Sequence, residues 1–316
     1  MRSSGHPTTR PRTLPPGYAP RVPTVTTDVL ELAYTVLGPA EGAPVVLLHG
    51  WPDAARSWGP VAARLADAGH RVLLPEWRGT GGTTFRSAET VRDATAAALA
   101  SDVLDLVDAL GVDRFAVVGH DWGARVAYQL AALVPERLSS IAALALAYQP
   151  RGTFAFPSFA QAQNFWYQWL MYVDAGAEAV RADPVGFARR QWETWSPPGW
   201  WDEAELEATA AVAFRHPDWP ATTLNGYRTR FLADEPVDAR YDDVRARVAA
   251  VEHLTVPTLM VQGGADTCDP PSESEGQEGH FDAYERVVVE GVGHFPQREA
   301  PERVADLVLA HLAAHR

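Results

Sequence analysis

The residues with the clearest capacity for chemistry are Gly119-His120-Asp121-Trp122-Gly123-Ala124, which follow a short apolar run and open a helical one. Small residues at Gly119, Gly123 and Ala124 permit a sharp strand-to-helix turn, and such a turn thrusts its apex side chain, Asp121, into a cleft. The helix N-terminus beneath it favours the ionised carboxylate. Asp121 is therefore read as a nucleophile, against the plainer role of a helix N-cap. His294 lies in Gly291-Val292-Gly293-His294-Phe295-Pro296, just after a strand-like run at Glu285 to Glu290, where a general base can face Asp121. Asp266 closes Gly263-Gly264-Ala265-Asp266 after Pro257 to Gln262, placed to orient the imidazole and fix its tautomer. Asp269 is the competing acid, and Asp266 is preferred because it is nearer the strand end. His49-Gly50-Trp51-Pro52 reads either as an ordinary Gly-Pro turn or as a turn that aims the Trp51 backbone N–H into the cleft beside that of Trp122. In the second reading the two amides form an oxyanion site. His120 alternates away from the cleft and is assigned to packing or to hydrogen bonding behind it.

Such groups meet only if several strands end side by side. Short β-branched runs at Val45-Val46-Leu47-Leu48 and Ala116-Val117-Val118 read as buried parallel strands. Further strands are expected at Val29 to Leu37, Val72 to Pro75, Ile141 to Ala147, Pro257 to Gln262 and Glu285 to Glu290. Helices are expected at about Thr95 to Leu110, Trp122 to Leu133 and Pro301 to Ala314. This alternation predicts an α/β fold with a mostly parallel sheet covered on both faces. Between about Gln149 and Leu232 the alternation stops. The spacing there is helical, and seven of the 11 tryptophans fall in that stretch. The expected organisation is a core at 25–148 and 233–316 with a helical cap at 149–232. Residues 1–24, with six prolines, four arginines and no acid, read as a poorly ordered arm without the apolar stretch of a signal peptide.

Composition excludes several function classes. No apolar run approaches the roughly 20 residues of a membrane helix, so a soluble protein without a membrane partner is expected. The net charge is −13 and every basic residue is arginine, which disfavours a nucleic-acid partner. A lone cysteine, Cys268, rules out an intrachain disulfide framework and a multi-cysteine metal site. It points to a reducing, cytoplasmic setting.

From Thr26 onward the chain resembles the α/β-hydrolase superfamily, and the aspartate at the elbow narrows the likeness to its epoxide hydrolase and haloalkane dehalogenase branches. The resemblance implies attack by Asp121 on carbon, an ester intermediate, and hydrolysis of that ester by water activated at His294, with no metal and no organic cofactor. Phe165-Trp166-Tyr167-Gln168-Trp169-Leu170 and Leu224-Asn225-Gly226-Tyr227-Arg228 resemble the stretches that hold two cap tyrosines in epoxide hydrolases. Tyr167 and Tyr227 would then donate to the leaving oxygen, and an epoxide opened to a vicinal diol is the preferred activity. Trp51, Trp122, Trp166, Trp169 and Phe295 are assigned to contact with a small apolar electrophile. Dehalogenation stays open because indole N–H groups such as that of Trp122 can hold a halide. A small anionic substrate is disfavoured: Arg125 matches one of the two arginines found near the elbow of fluoroacetate-type dehalogenases, but Trp122 replaces the other. A non-catalytic ligand-binding protein on the same fold is a third possibility. The loop Pro75-Glu76-Trp77-Arg78-Gly79-Thr80-Gly81-Gly82 lacks the Lys-Ser/Thr of a phosphate loop and looks structural.

Overall fold

The computed structural model describes residues 22–315. Nine strands form one sheet: β1 (Thr24–Thr26), β2 (Leu30–Leu37), β3 (Pro44–Leu48), β4 (Arg71–Pro75), β5 (Thr84–Phe85), β6 (Phe115–His120), β7 (Leu138–Leu144), β8 (Thr258–Gly263) and β9 (Tyr284–Val289). The order is β1-β2-β4-β3-β6-β7-β8-β9, with β5 on β2. β2 runs antiparallel to β4, and the strands from β4 through β3, β6, β7 and β8 to β9 are parallel. Their C-terminal ends therefore share one edge, where loops from several strands converge.

The near-continuous apolar runs fit strands buried on both faces. Val46, Leu48 and Val117 enter one core cluster, while their neighbours Val45, Leu47, Ala116 and Val118 enter another, as the period of two requires. Helices α1 (Gly59–Asp67) and α12 (Pro301–Ala314) cover the second cluster through Val61, Leu65, Val304 and Val308; α2 (Ala96–Ala109) and α3 (Trp122–Leu133) cover the first. Arg78, from the glycine-rich loop, is fully buried and pairs with Asp102 through Nε at 2.8 Å and Nη2 at 2.5 Å, with Tyr241 Oη accepting from Nη2 at 3.0 Å. That loop is structural, as expected.

Residues 149–232 carry only helices among their regular elements, apart from a short 3-10 turn: α4 (Phe159–Asn164), α5 (Trp166–Tyr172), α6 (Asp174–Ala182), α7 (Pro184–Thr194), α8 (Glu203–Val212) and α9 (Trp219–Arg228). The chain returns through α10 (Asp242–Ala249) to β8, and α11 (Pro296–Glu299) precedes α12. Polar ties hold the inserted helices to the sheet loops. Trp192 Nε1 donates to Pro52 O at 2.9 Å, Arg92 pairs with Asp218 at 2.9 Å, and Arg298 joins buried Asp53 to Glu205 of α8.

Three expectations shift. The arm was taken to end at residue 24, but Thr24-Val25-Thr26 is a β-branched run that pairs antiparallel with β2; residues 1–21 lie outside the described residues. The strand expected at Ile141 to Ala147 is β7, three residues earlier, because Ala145 at φ 64° turns the chain out of the extended region. Helices α1, α10 and α11 were not anticipated. Among the described residues no helix is long and apolar enough to cross a membrane.

Candidate active site

Asp121 sits between β6 and α3 at φ 48°, ψ −111°, a conformation costly for a residue with a Cβ and tolerated only where the surroundings impose it. The two glycines explain how. A Cβ at Gly119 would strike the backbone of Gly123, and one at Gly123 would strike the Leu48 carbonyl oxygen, so β6, α3 and β3 close on each other only with hydrogen at both positions. Asp121 Oδ1 accepts the Trp51 backbone N–H at 2.7 Å, and the Asp121 N–H donates to Leu144 O at 3.1 Å. The side chain makes no N-cap hydrogen bond, which leaves its carboxylate to the cleft.

His294 is completely buried in the loop after β9. Its Nδ1 lies 2.8 Å from Asp266 Oδ2, and its Nε2 faces Asp121 Oδ2 at 3.9 Å with no hydrogen-bond partner among the described residues. Asp266 is fixed in turn, because Oδ1 accepts the backbone N–H groups of Cys268 and Asp269 at 2.8 and 2.9 Å. Burial alone would drive the imidazole down, but the Asp266 carboxylate and then Asp121 outweigh it and hold His294 at about 9. Asp269 makes no hydrogen bond to the ring; burial and then Asp266 push it up to about 7. Behind the ring, His120 Nε2 lies 2.7 Å from His294 O and His120 Nδ1 is 3.1 Å from Gln297 Nε2. Burial, then His294, lowers His120 to about 4. It is a neutral tautomer that donates from Nε2 and accepts at Nδ1, which is the hydrogen-bonding role expected for it. Ser196 Oγ accepts the His294 N–H at 2.8 Å and donates to Glu299 at 2.6 Å.

The helices supply the opposite wall. Tyr167 of α5 and Tyr227 of α9 are 3% and 1% exposed, their rings perpendicular with centroids 5.4 Å apart. Both line a cavity of about 40 Å³ that Asp121 and Asp269 also line. Burial pushes both phenols well above their ordinary range, assisted at Tyr227 by Asp121, so both remain protonated donors at neutral pH. Trp51 organises this wall: its ring meets Tyr227 at 4.9 Å and stacks on Tyr167 and Trp219 at 5.7 and 6.1 Å. Its Nε1 donates to Thr223 of α9 at 3.0 Å. Next to the cavity lies a larger cleft of about 340 Å³, and Arg125, Phe154 and Arg230 line both.

Residues 43–301 match the alpha/beta hydrolase fold family. The chain belongs to that family. It is similar to epoxide hydrolase A of Mycobacterium tuberculosis, with 32% identity over 86% of this chain and 91% of that one. A Klebsiella pneumoniae protein of known structure superposes with a TM-score of 0.85 at 33% identity, over 92% of this chain and 97% of the other. Potato epoxide hydrolase I shares the fold at a TM-score of 0.74 and 22% identity, over 92% and 98% of the two chains.

In this hydrolase Asp121, His294, Asp266, Trp51, Tyr167 and Tyr227 converge on one place, and Trp122 opens α3 beside them. Its backbone N–H is one of the helix N-terminal donors without an intrahelical acceptor. Trp166, Trp169 and Phe295 do not reach the cavity. Trp166 is 38% exposed and packs on Phe187; Trp169 stacks on Phe156 at 5.6 Å and spends its N–H on Ala162 O at 2.6 Å. Phe295 points the other way along its loop and stacks on Trp200 at 4.7 Å. The assignment of these three to substrate contact is corrected accordingly, and the N–H groups of Trp77, Trp169, Trp192 and Trp200 are spent on backbone carbonyls. Trp122 Nε1 is buried beside the Tyr227 phenol and meets no acceptor in good hydrogen-bond geometry among the described residues. Sequence reasoning missed Phe154 and Arg230, which follow no strand-end motif and reach the site only through the path of the inserted helices. Cys268, Asp269 and His294 hold their donor atoms within 4.8 Å of one another, but His294 Nδ1 is committed to Asp266 and burial pushes the Cys268 thiol well up.

Proposed function

We propose that this hydrolase opens epoxides to vicinal diols through a covalent ester on Asp121. The observation that carries the reading is the pair of buried, protonated phenols, Tyr167 and Tyr227, across one cavity from the Asp121 carboxylate. Asp121 Oδ2 attacks an epoxide carbon; the C–O bond of the ring breaks, and its electron pair stays on the oxygen, which takes a hydrogen bond and then a proton from the tyrosines. A water then attacks Asp121 Cγ and gives a proton to His294 Nε2. Charge collects on Oδ1, which the Trp51 amide already meets at 2.7 Å, with the Trp122 amide as second donor. Collapse breaks the acyl C–O bond; the departing alkoxide takes the proton from His294 Nε2 to complete the diol, and the proton left on the Asp121 carboxyl returns to the tyrosinate, which restores both carboxylate and phenol. The helical segment at 149–232 acts as a cap that closes this chemistry off from water.

The charge balance supports the order of steps. His294 at about 9 starts as an imidazolium between Asp266 and Asp121, unfit to act as a base. Alkylation of Asp121 removes one of the negative charges that raise it, so the ring loses its proton more readily once the ester exists and a base is needed.

The decisive experiment is His294→Gln mixed with styrene oxide or 1,2-epoxyhexane. An Asp121 peptide heavier by the mass of the epoxide is expected, and the absence of an adduct with either would sink the ester mechanism. A second reading, haloalkane dehalogenation, is favoured by Trp122 Nε1, a buried N–H beside the Tyr227 phenol that meets no acceptor in good geometry among the described residues. Halide release from 1-bromohexane without diol formation from epoxides would select it.

A further inference from the structure

Two guanidinium groups beside Asp121 have no part in these steps. Arg125 stands one turn along α3, its N–H on the Asp121 carbonyl at 3.0 Å, and Arg230 follows α9 three residues after Tyr227. Both line the cavity at Asp121 and the adjoining 340 Å³ cleft. Both pack on Phe154, with its ring centre 4.2 Å from the Arg125 guanidinium carbon and 4.5 Å from that of Arg230. Arg230 donates to two neutral acceptors, Gln168 Oε1 at 3.2 Å and Gly226 O at 3.3 Å. Nε and Nη1 of Arg125 are shut off from solvent and find no acceptor among the described residues. Burial, and then the like charge of Arg230, push Arg125 down to about 9.

Elsewhere this protein handles buried arginines differently. Arg78 has Asp102, and Arg298 has Asp53. Acids are in excess in this chain by 13, so two like charges on one phenyl ring without a carboxylate partner do not reflect a shortage. Desolvated, unpaired cations are unfavourable until an anion joins them. The rest of the cleft mixes apolar groups such as Ala97, Leu99 and Val237 with the neutral polar side chains of Thr95, Gln129 and Thr229, and its third arginine, Arg245, is already paired with Asp93 and Asp242. That lining fits a hydrocarbon ending in a single anion better than a polyanion, and a planar guanidinium fork matches a carboxylate.

We propose that Arg125 and Arg230 hold a carboxylate on the substrate, so that the epoxide opened at Asp121 is borne by a molecule with an anionic arm. This rests on the epoxide reading above for the reacting group, but not for the anion site. It reverses the expectation drawn from Trp122, because the partner of Arg125 comes from the end of α9 rather than from the elbow.

The test uses the full chain with two unreactive probes, 4-phenylbutyrate and 4-phenyl-1-butanol, titrated calorimetrically into wild type, Arg125→Gln, Arg230→Gln and Arg230→Lys. The wild type should prefer the acid by about tenfold or more, each Gln variant should lose that preference, and Arg230→Lys should keep part of it. Unliganded Arg125→Gln should melt at or above the wild-type temperature, since a charge whose Nε and Nη1 are shut off from solvent without an acceptor has been removed; a structural role would lower it. Diol formation from 3-phenylglycidate against its methyl ester gives the second readout. Acid-selective binding lost in both Gln variants, with no diol from any epoxide, upholds the anion site and overturns the epoxide reading. Equal binding of acid and alcohol by wild type, with diol formed from acid and ester alike, overturns the anion site and leaves the epoxide reading standing.

Discussion

The two walls of the site are held by different physics. Asp121, His294, Asp266 and Trp51 stand on loops at the ends of adjacent strands and are tied by hydrogen bonds of 2.7 to 2.8 Å. Tyr167 and Tyr227 stand on separate inserted helices and are placed mainly by aromatic contacts at 4.9 to 5.7 Å around Trp51. The first wall is charged and geometrically exact in what it fixes; the second is neutral and can shift with the helices that carry it. In the proposed reaction the nucleophile, the base and its orienting acid are on the first wall, and the proton donors to the leaving oxygen are on the other.

Substitutions should separate the walls by size of effect. Asp121→Asn should lower diol formation by about 10⁴-fold or more while the protein still folds, because the carboxamide cannot serve as the nucleophile. Tyr167→Phe and Tyr227→Phe should each cost about 10²-fold or more in epoxide opening, the range of a lost general acid, measured as kcat/KM on styrene oxide. The double variant should still release halide from 1-bromohexane if that reaction exists. Full epoxide activity in the double variant would remove the second wall from the chemistry. Gly123→Ala acts on the first wall through the backbone: its Cβ meets the Leu48 carbonyl, and a loss of about 1 to 3 kcal/mol is expected by denaturant titration.

Legibility in the sequence divides along the same line. Asp121, His294 and Asp266 were readable because each follows a strand of the parallel sheet within a few residues, and parallel strands bring their ends to one edge whatever the loops do. Asp266 over Asp269 was also readable by distance from β8, and the Nδ1 contact is with Asp266. Tyr167 and Tyr227 came only from resemblance, since a tyrosine in an amphipathic helix has no local mark of its direction. The same lack of a local mark made Trp166 and Trp169 look like site residues. Within α5, a seven-residue helix, Tyr167 turns inward and its neighbour Trp166 turns toward solvent. Arg230 was unreadable for a further reason: its significance depends on Arg125, more than a hundred residues away, and on neither forming an ion pair with the acids of the same cavity, Asp121 and Asp269.

Titration should set the walls apart as well. His294 is held at about 9, above its unfolded value of 6.5, so its pairing contributes stability that is complete below 6.5 and fades as pH rises through 9. Buried His49 and His120 are lowered to about 4 and act in the other direction, removing stability as pH falls from 6.5 toward 4. Glu76 and Asp269, raised to about 7, bear on the range below that value. The phenols of the second wall, pushed above 10, are silent throughout. Melting temperature followed from pH 6.5 to 9 should therefore decline in wild type and in Tyr167→Phe/Tyr227→Phe alike, and decline less in His294→Gln. An unchanged slope in His294→Gln would show that the imidazolium is not held by the two carboxylates.

The smallest effect is expected at the outer face of the second wall. Trp166 adjoins Tyr167 in sequence, yet it is 38% exposed and does not line the cavity. Trp166→Ala gives up contact with Phe187 and the edge of Tyr167 while Trp51, Trp195 and Tyr227 still surround the phenol. The loss of stability should be about 1 kcal/mol, as for a partly solvated side chain, and kcat/KM for styrene oxide should stay within about twofold. A tenfold fall in kcat/KM with little change in melting temperature would mean that Tyr167 is positioned by its sequence neighbour and not by the ring cluster beneath it. The second wall would then be a property of α5 itself rather than of its packing on Trp51.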